Sequence, residues 1–210
     1  MWQTFLDLLF PRQSLTGTSG VWITPAERTQ LTSHPVIETA EQLRSRKILF
    51  LDELRAGSTY QDCLLLKRAL HIFKYRGVRS LAQDLGALIP ATDVEQGTVL
   101  CPVPLHWTRR FARGFNQAAL LAEDVSARTG IPVRHLLTRI HSTGHQARRS
   151  RRERLVGVRG AFRSCGTHPP QHVVLIDDVA TTGATLDACA QILKIVGVHR
   201  VTAWVVAHDS

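Results

Sequence analysis

A chain of 210 residues with 44% hydrophobic residues can bury one sizeable α/β core with a small N-terminal appendage. No apolar run approaches the roughly 20 residues that a membrane span needs, so membrane insertion is not expected. Twenty-six Lys and Arg against 17 Asp and Glu leave a net charge of +9, which points to an anionic partner. The opening apolar patch is interrupted by Asp7 and follows no basic region, which argues against a secretory signal and makes the cytoplasm the expected location.

Residues 1 to 58 are punctuated by Pro11, Gly17, Gly20, Pro25, Pro35 and Gly57, and predict a loosely built lobe of short elements, with the main α/β unit running from 59 to 210. From Tyr60 to Phe73 the apolar positions Leu64, Leu65, Ala69, Ile72 and Phe73 predict a helix that stops at Gly77. Lys74 and Arg76 then sit at its C-terminus, where compensating the helix dipole and touching a ligand are equally open roles. Further on, strands are predicted near 98–103, 133–137, 172–177 and 200–207, and helices near 78–89, 116–129 and 184–196. Such alternation gives a βαβ arrangement with a mainly parallel central sheet. Asn116 is a good N-cap for the helix carrying Leu120, Leu121 and Val125, and ligand contact is the other role open to it.

Between residues 139 and 163 the basic residues crowd. Arg139, Arg148, Arg149, Arg151, Arg152, Arg154, Arg159 and Arg163 meet a single acid, Glu153. With almost no Glu at helical spacing to pair them, these guanidiniums suit phosphate. Beside a plain solvated helix face, two phosphate targets stand open. One is the phosphates of an active-site ligand covered by a hood loop, and the other is a nucleic-acid backbone, single-stranded DNA in particular.

The chemistry concentrates in Val173-Val174-Leu175-Ile176-Asp177-Asp178-Val179-Ala180-Thr181-Thr182-Gly183-Ala184-Thr185. Four apolar residues make a strand buried on both faces, and the two acids fall where it ends, at the edge where open α/β sheets bind ligands. Ala180, Thr181, Thr182, Gly183, Ala184 and Thr185 then lead into a helix, whose first N–H groups can cradle a phosphate while Gly183 permits close approach. An acid pair beside a polyanion is repulsive unless it accepts hydrogen bonds from sugar hydroxyls or shares a divalent cation. A ribose 5-phosphate bearing a diol and a metal-bound pyrophosphate meets both conditions. A plain doubly wound strand with an acidic turn accounts for the acids and leaves the Thr-Thr-Gly-Ala-Thr loop unexplained.

This string resembles the PRPP-binding motif of the type I phosphoribosyltransferases. A second segment, Thr98 to Gln117, runs through Cys101-Pro102-Val103-Pro104-Leu105-His106 into Arg113-Gly114-Phe115-Asn116-Gln117, and is similar to the ComF or GntX-like family. Lys74-Tyr75-Arg76-Gly77, Gly160-Ala161-Phe162 and the opening Phe5-Leu6-Asp7-Leu8-Leu9-Phe10-Pro11 add to that resemblance, which covers most of the chain from about residue 60. Two departures stand out. The family's N-terminal four-cysteine zinc module has no counterpart, since Cys63, Cys101, Cys165 and Cys189 are scattered without a Cys-x-x-Cys pair and His34 alone cannot complete a site, so no zinc is expected. In the family's loop pattern Gln146 and Arg154 fit, while Arg149 and Gly157 stand in place of Leu and Asn.

The resemblance implies a type I phosphoribosyltransferase-like fold and displacement of pyrophosphate from ribose C1. In it Asp177 would bind the ribose hydroxyls and, with Asp178, help hold Mg²⁺, and Ala180 to Thr185 would grip the 5-phosphate. Val103, Pro104, Arg109, Arg110 and Arg113 would meet the pyrophosphate, where positive charge is the main catalytic lever. It further implies PRPP as ligand, a role in handling single-stranded DNA during competence, and a competence or helicase-type protein partner. A base-salvage phosphoribosyltransferase and a non-catalytic PRPP sensor stand beside that reading, and no residue singles out an acceptor base.

Overall fold

Short apolar runs alternating with amphipathic stretches fold, in the computed structural model, into one central sheet with helices on both faces. The structure describes residues 13–61, 63–75, 78–92, 94–105, 114–140, 161–165 and 168–209. In chain order the elements are α1 (Pro25–Gln30), β1 (Val36–Thr39), α2 (Ala40–Ser45), β2 (Glu53–Thr59), α3 (Leu64–Tyr75) and α4 (Leu81–Gly86). They are followed by β3 (Thr98–Pro102), α5 (Gln117–Thr129), β4 (Leu137–Arg139), β5 (Phe162–Ser164), β6 (His172–Ala180), α6 (Ala184–Ile195) and β7 (Arg200–His208). The sheet order is β1-β2-β7-β6-β3, with β1 antiparallel to β2 and every other pairing parallel. β4 and β5 form a separate antiparallel pair.

Parallel strands covered on both sides must be apolar on both sides, and β6 and β7 satisfy this with buried residues along almost their whole length. Alternate side chains feed two cores. Val173 and Leu175 pack with Leu186, Ala190 and Leu193 of α6 on one face, while Val174 and Ile176 pack with Phe73, Leu121 and Val125 from α3 and α5 on the other. At the end of the sheet where β3, β6 and β7 begin, His172 is held between two threonines. Its Nδ1 and Nε2 lie 3.0 Å from the hydroxyls of Thr98 and Thr202. Burial, with Arg200 adding to it, pushes His172 below its ordinary value and favours the neutral ring that such a relay needs.

The predicted strand at 133–137 contracts to a single bridge between Val133 and Leu100, flanked by bonds from Leu100 N–H to Pro132 and from Arg134 N–H to Leu100, and the regular pairing starts only at Leu137. The helix expected over 78–89 is regular only across α4, and its last turn closes with tighter bonds from Leu88 and Ile89 to Leu85 and Gly86. Helices α3, α5 and α6 and strands β3, β6 and β7 lie where the apolar periodicity predicts them.

β1 and β2 have no counterpart among the predicted strands. β2 runs through residues 58 and 59, where the sequence suggests a boundary between an N-terminal lobe and the main unit, and it pairs with β7. Gly57 explains why this strand is hard to read, because a glycine inside a strand usually marks close backbone approach rather than pairing strength. A Cβ at Gly57 would lie 2.2 Å from the Leu88 carbonyl oxygen, so only glycine fits.

Candidate functional site

The C-terminal ends of β3 and β6 bring the Asp177-Asp178 pair, the Pro-rich turn after β3 and the Thr-rich loop to one edge of the sheet. Asp178 is 7% exposed. Its Oδ1 lies 3.0 Å from Nζ of Lys74, in the last turn of α3. Lys74 therefore crosses from a neighbouring helix to the acid pair. The Asp178 N–H donates to Asp177 Oδ1 at 2.9 Å. Burial and the neighbouring Asp178 carboxylate push the Asp177 carboxyl well above the ordinary carboxylate range, against the opposing pull of Lys74 and Arg139. Two acids pressed together in this way are relieved by a cation or by hydroxyl donors.

The loop after β6 turns directly into the N-terminus of α6. Gly183 adopts φ 72° as the residue before α6, a conformation that favours glycine. Ala180 and Ala184 are buried, so they offer backbone rather than side chain, whereas Thr181 is exposed and Thr182 and Thr185 are half-buried. Among the described residues no acceptor takes the N–H of Thr181, Thr182 or Gly183. Those groups sit at the positive end of a 12-residue helix.

Val103 and Pro104 lie in the turn beside this loop. The Val103 N–H donates to Ile176 O at 2.9 Å, and its carbonyl accepts from Asn116 Nδ2 at 3.1 Å. Asn116 also caps α5 through Oδ1 and the Ala118 N–H, so its capping role is realised and it ties the turn to the helix as well. A cleft of about 650 Å³ opens here, lined by Pro102, Pro104, Leu105, Phe115, Asn116 and Arg139 among others. That volume falls within the range of small-molecule sites. Arg139 stacks on Phe162 at 5.2 Å and its charge reaches Asp177, which links cleft and acid pair.

A divalent cation fits the donor set in one way only. Among the described residues no group of three or more His, Cys, Asp or Glu is placed to hold a metal, so Asp177 and Asp178 would supply one or two carboxylates and a ligand's oxygens the rest, as Mg²⁺ commonly requires. Arg109, Arg110 and Arg113, and Arg148, Arg149, Arg151, Arg152 and Arg154, lie outside the described residues. Cys101 and Cys189 are buried in the core, and burial pushes the Cys101 thiol up to about 11, which makes it an inert packing group. Cys63 and Cys165 are half-buried, and none of the four is in a disulfide.

These features define an α/β protein that gathers an acid pair, a Thr-rich loop and a cleft at the carboxyl ends of its parallel strands. No family profile matches the chain. It is 30% identical over 149 residues to Competence protein F of Haemophilus influenzae, covering 69% of this chain and 62% of that protein. It is 32% identical over 166 residues to Competence protein ComFC of Bacillus subtilis, covering 76% and 66%. DNA utilization protein YhgH of Escherichia coli strain K12 is 36% identical over 148 residues, covering 66% and 65%. The chain belongs to the ComF-like family. It spans 62% to 66% of the length of these relatives.

Proposed function

We propose that this chain is a PRPP- and Mg²⁺-binding protein of type I phosphoribosyltransferase fold that serves competence or DNA utilisation through single-stranded DNA. The observation that carries the site is the acid pair in the C-terminal half of β6, with Asp178 on Lys74 and the Asp177 carboxyl raised, followed after Val179 and Ala180 by three N–H groups at the start of α6 that no acceptor takes among the described residues. Asp177 accepts from the ribose hydroxyls, and Asp177 with Asp178 would hold the cation. A divalent cation held by these two residues would supply positive charge to the pyrophosphate leaving group at ribose C1. The Thr181–Thr185 loop orients the 5-phosphate, Val103 and Pro104 hold the turn facing the pyrophosphate, and Arg139 adds positive charge on the cleft side. The DNA role rests on the relatives' names and on the arginine-rich segment.

Calorimetry of PRPP binding tests the reading. Affinity is expected with Mg²⁺ and none with a chelator, and equal heats in both conditions would overturn it. A panel of bases, with and without single-stranded DNA, then assays turnover as pyrophosphate release.

A further inference from the structure

The N-terminal segment, the part of the chain least legible in sequence, touches the Thr-rich loop. From His172 to Leu193 there is no Lys or Arg, while Asp177, Asp178 and Asp187 supply three carboxylates. The residues from His172 to Leu193 thus bring no cation of their own to a phosphate dianion seated on this loop, and Lys74 is engaged by Asp178. Arg46, just after α2, brings a guanidinium to the same place. Its Nη2 lies 3.5 Å from the Thr181 carbonyl oxygen. Nη1 donates to Glu38 Oε1 at 2.5 Å and lies 3.0 Å from His208 Nε2, and His208 is paired with Ala180 across β6 and β7.

The residues after Arg46 are strapped to the loop. Ile48 is fully buried, and its Cδ1 would lie 3.0 Å from a Cβ at Gly183. In the first turn of α6, Asp187 Oδ1 accepts the N–H groups of Leu49, Phe50 and Leu51 at 2.9, 2.7 and 3.3 Å. Lys47, beside Arg46, takes φ 67°, a conformation uncommon for a side chain of this kind and sustained here by the bonds of Lys47 and Ile48 back to α2.

We infer that Arg46 is a binding residue for the phosphate on the Thr181–Thr185 loop, contributed by the N-terminal segment and held in reserve on Glu38. This rests on the phosphate reading of that loop. Charge-assisted bonds to phosphate are stronger than neutral ones, and the guanidinium fork offers donors beyond those already engaged.

The test is calorimetry of the full chain with ribose 5-phosphate, comparing Arg46→Met and Glu38→Gln with the unaltered protein and following thermal melting in parallel. Arg46→Met is expected to weaken binding about tenfold or more. Glu38→Gln breaks the same ion pair and leaves the guanidinium, so it is expected to lose stability yet bind as well as before or more tightly. If both variants bind like the unaltered chain, Arg46 is structural and the inference falls while the phosphate reading stands. If the unaltered chain does not bind ribose 5-phosphate, the phosphate reading falls and takes the inference with it. Should Arg46→Met fail to fold, Glu38→Gln still decides, since weaker binding there would mark the ion pair as scaffolding and overturn the inference.

Discussion

At the scale of single residues, the proposed function rests on the acid pair, whose Asp178 is paired with Lys74. Asp177→Asn removes a charged acceptor for sugar and cation alike, so PRPP affinity in Mg²⁺ is expected to fall by about tenfold or more, while Thr185→Ala, one hydroxyl among several donors, costs less. Unchanged heats for the Asp177 variant would remove it from the site. Lys74→Met leaves Asp178 buried without its partner, which is expected to destabilise the fold by about 1–3 kcal/mol in denaturant titration. It also has a pH signature. The Asp177 carboxyl is already raised by burial and Asp178, so binding that needs it ionised weakens as pH falls through that raised value. Removing the Lys74 charge raises it further, and the acid limb of PRPP affinity is expected to begin at higher pH in the variant. An acid limb at the same pH in both proteins would show that Lys74 does not govern the pair.

At the scale of elements, the strand and helix that carry the acid pair and the Thr-rich loop were legible because periodicity and chemistry coincide in β6 and α6. Four apolar residues, two acids and a Thr-Gly loop fix strand, edge and helix start together. β1 and β2 escaped because Gly57 and the polar residues Glu53 and Arg55 break the pattern of a buried strand. Arg55 and Glu53 pair with each other, and Arg55 also stacks on Trp204, which only β7 brings within reach. Arg46 escaped for a related reason, since its partners Thr181 and His208 are distant in sequence. Gly57→Ala is expected to destabilise the chain by about 1–3 kcal/mol through overpacking against Leu88, and an unchanged melting temperature would contradict the contact. Helix α1 offers a pH test. Burial works to raise the Glu27 carboxyl, but bonds from Thr16, Thr24 and Ser14 overcome it and bring it down to about 2. Because the folded value lies below the ordinary 4.5, this stability is complete above pH 4.5 and is lost as pH falls toward 2. Glu27→Gln is expected to flatten that limb by up to about 3 kcal/mol, and an identical acid unfolding profile would show that the cluster adds nothing.

At the scale of the whole molecule, the net charge of +9 and its concentration between residues 139 and 163 are the features that a polyanion would meet first. The two flanks of that segment, Arg139 and Arg163, stand opposite Phe162 and Thr138 in the β4–β5 pair. In the chain the arginine run follows β4, whose residues Leu137, Thr138 and Arg139 line the cleft, and precedes β5. A hood over the ligand and a track for DNA give different salt behaviour. If Arg148, Arg149, Arg151 and Arg152 follow a nucleic-acid backbone, single-stranded DNA affinity should fall with salt at a log–log slope of about −0.7 per phosphate contacted. Replacing the four with Ala should flatten the slope by roughly three units and leave PRPP binding intact, since the sugar and 5-phosphate grips lie elsewhere. If the segment serves as a hood, the same variant loses PRPP affinity or turnover and keeps its DNA binding. Four arginines within five residues exceed what one pyrophosphate can engage, so the flattened slope is the expected outcome, and a variant that binds DNA with unaltered salt dependence would assign the segment to the ligand instead.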